Sequence, residues 1–154
     1  MTATDLLQAN KKIARDYIDQ VFNQHNPAKS LDFVTSDITW HGGIVGDITG
    51  AENVLGLLSS FIGALPDLYA AEQDIVAEND LVVVRLFVTG TVKGSLLGAP
   101  GDGTPIRWNA VDIYRVTDGK ISEEWAADDF AAIMAQLGAF NPPWIEPATT
   151  ADAS

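Results

Sequence analysis

Residues 105–138 read PIRWNAVDIYRVTDGKISEEWAADDFAAIMAQLG. Two alternating apolar/polar runs flank Asp118-Gly119, a dipeptide that reverses a strand because Gly accepts positive φ. With strict alternation, Ile121, Glu123, Trp125, Ala127 and Asp129 share one face of the second strand. That face ends in a carboxylate. A carboxylate in line with an indole has two readings: burial raises its pKa and makes it a general acid or base, or it caps the next helix. Phe130, Ile133, Met134 and Leu137 recur at helical spacing directly after it, so the residues alone favour Asp128 or Asp129 as an N-cap.

The hairpin has two registers in sequence. A loop of Asp118-Gly119 alone sets Trp108 opposite Asp129 and Asp112 opposite Trp125, which puts a second carboxylate on the same face. A loop that takes in Thr117 sets Arg107 opposite Asp129. The first arrangement raises the Asp129 pKa and the second lowers it; the two-residue loop is preferred.

Upstream, Leu6, Ile13, Tyr17 and Val21, interleaved with Leu7, Ala14, Ile18 and Phe22, define an amphipathic first helix with Thr4 as its cap. It ends at Asn26-Pro27. Tyr17 lies on the buried stripe with a hydroxyl that needs a partner. A short helix over 28–34 leads to a strand over 37–41 that carries Trp40 and His41 and stops at Gly42-Gly43. Thr49-Gly50-Ala51-Glu52 has the pattern of a capping box. It opens a helix whose apolar face is Val54, Leu55, Leu58, Phe61, Ile62 and Leu65, ended by Pro66. A second hairpin follows, turning at 78–80 into the β-branched run 81–90. The Gly/Pro-rich stretch 94–104 is a loop, and becomes a lid if Leu96 and Leu97 are exposed. Past Gly138, Pro142-Pro143-Trp144 reads as a stiff arm ending in a bulky anchor, and residues from Thr149 on as disordered.

At 154 residues the chain fits a single domain over 1–154 with its core at about 5–139. Helices first and strands after predict an α+β fold with an antiparallel sheet covered by helices on one face. There is no cysteine and there are only two histidines, so neither disulfides nor a zinc site is expected. A formal charge of −12 opposes binding to nucleic acid or anionic lipid. The N-terminus has no signal-peptide core and no run spans a bilayer, so a cytoplasmic location is expected.

DGKISEEW, with Asp129 four residues after Trp125 and QLG closing the next helix, resembles the SnoaL-like polyketide cyclases of the NTF2-like superfamily. The resemblance covers residues 5–139 and implies a cone in which a curved sheet and the N-terminal helices enclose a deep pocket. It also implies an aspartate at the end of the last strand as acid/base, which falls on Asp129, and it matches His41 to a position often held by histidine. Tyr17, Trp40, Trp108, Asp112 and Trp125 are then the expected substrate-binding residues. The reaction implied is an intramolecular aldol closure of an apolar or aromatic carbonyl substrate, without metal or organic cofactor, by a homodimer. Related folds suggest alternatives. Epoxide hydrolases of this cone need an Arg-x-Asp where this chain has Arg85-Leu86-Phe87, and ketosteroid isomerases need a base near His41. A non-catalytic binding or dimerisation module is the alternative from another class.

Overall fold

The computed structural model describes residues 1–146. Helix α1 (Ala3–Tyr17) is capped by Thr2 rather than Thr4, in a reciprocal box with Asp5, and continues as a π-helical turn, Ile18–Asn23. A 3₁₀ turn (Pro27–Lys29) and α2 (Ser30–Phe33) follow. Strand β1 (Val34–His41) is paired with a short strand the sequence did not announce, β2 (Asp47–Thr49). This pairing undoes the expected capping box. Thr49 is held in β2 opposite Thr39, so Gly50, at φ 97°, takes the cap position of α3 (Ala51–Ala64) with no side-chain cap.

Strands β3 (Tyr69–Glu78), β4 (Leu81–Val92), β5 (Thr104–Thr117) and β6 (Lys120–Asp128) form an antiparallel meander, and α4 (Phe130–Gln136) follows β6. The sheet order is β2-β1-β6-β5-β4-β3. It is mixed rather than wholly antiparallel, because β1 runs parallel to β6. The free edge of β6 is thereby covered by a strand from the other end of the chain, which satisfies its backbone groups. The curved sheet and the helices match the NTF2-like cone. Its core joins Tyr17, Ile38, Leu58, Val84, Tyr114 and Ile133, all buried. Among the described residues no helix is long and apolar enough to cross a membrane.

The β5–β6 hairpin turns on Asp118 and Gly119, both at positive φ, as expected. Thr117 pairs with Lys120 and Val116 with Ile121, but Arg115 then pairs with Glu123. Ser122 is an extra residue, a β-bulge, and beyond it every side chain of β6 changes face. Neither expected register survives. Asp112 lies opposite Ala126 and Ile113 opposite Trp125, while the Asp129 N–H bonds the carbonyl of Asn109.

In the loop after β4, Leu96 is buried in the core and Leu97 alone is half exposed, at φ 50°. Trp144 is 72 % exposed and meets Phe140 edge to face, so it does not anchor the arm to the body. The stretch from Thr149 lies outside the described residues.

Candidate functional site

Between the sheet and the helices lies a cavity of about 760 Å³, counting the space at its open mouth. Its walls are apolar. Phe22 comes from the π-helical turn, Leu57 and Phe61 from α3, and Leu86 and Val88 from β4, while Leu97 and Phe130 complete the lining. Alternation along β1 and β5 turns Trp40 and Trp108 inward, as expected. The Trp108 indole meets Phe61 edge-on at 6.1 Å. Gly42 leaves space for Trp40, since a Cβ there would fall 2.1 Å from the indole ring.

Three carboxyl groups, Asp112, Glu124 and Asp128, are the ionisable groups among the lining residues, with no lysine, arginine or histidine beside them. Each accepts a hydrogen bond from an aromatic donor. The Trp108 indole N–H donates to Asp128 Oδ1 at 2.6 Å. The Tyr114 hydroxyl donates to Asp112 Oδ2 at 3.1 Å, and the Tyr17 hydroxyl to Glu124 Oε2 at 3.4 Å. The two tyrosine rings pack edge to face at 5.7 Å, so α1 and β5 hold the two deeper acids through one aromatic cluster.

Burial in an apolar wall disfavours charge. It pushes Asp112 up to about 8, helped by repulsion from Asp128 and opposed by the Tyr114 hydrogen bond. Glu124 is raised well above the usual carboxylate range, by burial first and then by Asp112 and Asp128. Asp128 is raised by burial and drawn back by the Trp108 indole. It stands at the end of β6, is only half-buried, and among the described residues its second oxygen accepts no hydrogen bond.

Of the residues expected at the site, Trp40, Trp108 and Asp112 line the cavity. Tyr17 lies just behind the wall and finds its hydroxyl partner in Glu124. The other three point elsewhere. Asp129 is exposed, and its side chain caps α4 by accepting from the Ala132 N–H at 3.0 Å. Trp125 lies on the outer face of the sheet, stacked on His41 at 5.3 Å with Arg115 over its ring. His41 bonds Asp47 at 3.0 Å and Glu123 at 2.9 Å, and these acids, Glu123 first, raise its pKa. Arg107 is exposed, with its backbone tied to Gln136. Arg85, the residue that hinted at epoxide chemistry, pairs with Asp74 at the surface.

Glu124, Asp128 and Tyr114 were absent from the expected set. The bulge explains the first two, since strict alternation put Glu123 and Asp129 in their places. One signal in the sequence marks it. Ser122-Glu123-Glu124 sets three polar residues in a row, where strict alternation would place an apolar one.

A helix-covered curved sheet around an apolar cavity with acids on its wall defines a domain of the NTF2-like fold. The chain belongs to the SnoaL-like polyketide cyclase family, whose sequence profile matches residues 12–137. A SnoaL-like protein from Jannaschia sp. CCS1, described as a proposed polyketide cyclase, superimposes with a TM-score of 0.83 at 19% identity, covering 92% of this chain and 99% of that one. AclR from Streptomyces galilaeus, a proposed hydroxylase, gives 0.78 at 23% identity, with 88% and 99% covered. IdmH from Streptomyces antibioticus, a proposed polyketide cyclase, gives 0.72 at 28% identity, with 84% and 98% covered. No curated protein sequence matches the chain.

Proposed function

We propose that this chain closes a ring in a polyketide-like substrate by an intramolecular aldol addition, with Asp128 as the base. The observation that carries the reading is the placement of Asp128 on the wall of an apolar cavity. One of its oxygens is fixed by Trp108 at 2.6 Å, and its pKa is raised by burial. A carboxylate so placed reaches a carbon acid from one side, and partial burial brings its basicity nearer to neutral pH. The apolar walls fold a flexible chain so that its reacting carbons meet. Such orientation is worth up to about 7–11 kcal/mol in well-aligned systems. No step requires a metal or an organic cofactor.

A suitable probe is a phenyl triketone in which the methylene of a benzoyl β-diketone is tethered through three further methylenes to a methyl ketone. Incubated in D₂O with the protein, it is expected to exchange the single proton on the tethered β-diketone carbon faster than in buffer and to close to a five-membered ring. Saturable binding with exchange at the buffer rate would remove the catalytic reading and leave a binding module.

A homodimer belongs to the same proposal. Val76 and Val111 stay exposed on the sheet face turned away from the cavity, where a second copy could cover them. Sedimentation equilibrium is expected to return twice the mass of the chain. A monomer at micromolar concentration would end that part of the proposal.

A further inference from the structure

On the cavity side, the β5–β6 hairpin sets two short columns of side chains against each other. Ala110 faces Asp128, Asp112 faces Ala126, and Tyr114 faces Glu124. Asp112 therefore stands diagonally from both acids of β6, a relation that spans about 7–8 Å across antiparallel strands. The two alanines are small, and they leave open space beside Asp112 that longer side chains would fill. One Asp112 oxygen accepts from Tyr114, and among the described residues the other has no protein donor and lies on the wall of the cavity.

The surroundings of Asp112 decide its form. Asp128 and Glu124 flank it diagonally from β6, Tyr114 comes from its own strand and Tyr17 from α1; Val84 lies opposite on β4, and α3 presents only apolar side chains to the cavity, Leu57, Leu58 and Phe61. No cation is among these groups. An ionised Asp112 would stand buried with a single hydrogen bond, whereas a carboxylic acid accepts the tyrosine hydroxyl on one oxygen and offers an O–H to the cavity from the other.

We propose that Asp112 is the acid partner of Asp128: its free carboxyl oxygen carries a proton and donates it to the carbonyl oxygen that becomes the alcohol when the ring closes. The assignment rests on the aldol reading above. Tyr114 is a positioning residue, holding the other oxygen of Asp112. In the reaction, the Asp128 carboxylate takes a proton from the carbon between two carbonyls, leaving an enolate. The enolate carbon bonds to the distal carbonyl carbon, the C=O π bond breaks, and its electron pair moves to oxygen. That oxygen takes the proton of Asp112. Asp112 is then a carboxylate and Asp128 an acid, and transfer of one proton from Asp128 to Asp112 restores both. The shift of Asp112 to about 8 agrees with this division, since Asp128 is the charged neighbour that helps to raise it.

The phenyl triketone separates the two roles, because deuterium exchange reads the base alone and ring closure reads base and acid together. Asp112→Asn is expected to keep exchange within about threefold of the unsubstituted protein and to slow closure by at least about 10²-fold. Tyr114→Phe, a smaller change in the core, is expected to slow closure by about tenfold and to spare exchange. Closure by the unsubstituted protein should decline as pH rises past about 8, and that limb should vanish in Asp112→Asn. Closure at the unsubstituted rate in both variants, or an unchanged alkaline limb in Asp112→Asn, overturns the role of Asp112 while leaving Asp128 as base. Exchange no faster than buffer in the unsubstituted protein overturns the aldol reading, and the role of Asp112 with it.

Discussion

Asp128→Asn is expected to lower both proton exchange and ring closure by about 10²–10⁴-fold, the usual contribution of a positioned general base. Its neighbour behaves differently. Asp129→Asn should leave turnover unchanged within about twofold and affect stability by a few tenths of a kcal/mol at most, because Asn caps a helix about as well as Asp. Asp129→Ala should cost about 1 kcal/mol of stability, again with little effect on turnover. The contrast follows from side-chain direction. Asp128 is on the cavity wall with one oxygen held by Trp108, whereas Asp129 is outside, bonded to the N–H of Ala132. Exchange kinetics with the phenyl triketone and thermal melts of the variants check both halves. Loss of turnover in Asp129→Asn with retention in Asp128→Asn would show that the acid of this reaction is not the one inside the cavity.

The second large effect is on stability, and its sign can be worked out. Asp112 and Glu124 hold their protons more tightly in the folded chain than in the unfolded one. Their contribution to stability is therefore fully present below the unfolded carboxyl range, about pH 4, and is lost as pH rises toward the folded values, about 8 for Asp112. Stability is expected to fall over this window by up to about 1.4 kcal/mol per pH unit for each carboxyl that stays protonated in the fold. His41, also raised, adds a loss of the same sign above about pH 6.5, weakened by solvent screening because its ion pairs lie at the surface. Carboxylates with lowered values, Glu72 and Glu123 among them, act in the opposite sense, and their loss comes below about pH 4. Urea denaturation at pH 5 and pH 8 tests the balance. The unsubstituted chain should be more stable at pH 5, and Asp112→Asn and Glu124→Gln should each flatten the difference, since neither amide titrates. A chain that gains stability between pH 5 and pH 8, or variants with an unaltered slope, would show that these two groups ionise freely in the fold.

Much of the architecture is legible in local patterns. The first helix announces itself by the spacing of Tyr17 and its apolar neighbours, although its π-helical continuation ends at Asn23, before the expected stop at Asn26-Pro27. Asp118-Gly119 forms its tight turn because both residues take positive φ. The β-branched run over 81–90 becomes a central strand flanked by β3 and β5. Trp40, Trp108 and Asp112 reach the cavity because buried and outward positions alternate over 38–41 of β1 and 105–116 of β5. Where local pattern failed, a pairing partner intervened. Thr49 has the sequence of a capping residue but is held in β2 opposite Thr39, an arrangement that depends on a strand ten residues earlier.

The sequence by itself determined the class of fold, the hairpin turn, the family and the presence of an acid at the end of the last strand. Only the tertiary structure decided which acid. Alternation has a period of two, so the one extra residue at Ser122 exchanges the faces of everything beyond it. It sends Glu123, Trp125 and Asp129 outward, and turns Glu124, Ala126 and Asp128 to the cavity. Whether a strand bulges depends on what its neighbours on either side can pair with, and here both β5 and β1 shift register along the same stretch of β6. That choice is made across the sheet, between strands far apart in the chain, and no window along a single strand contains it.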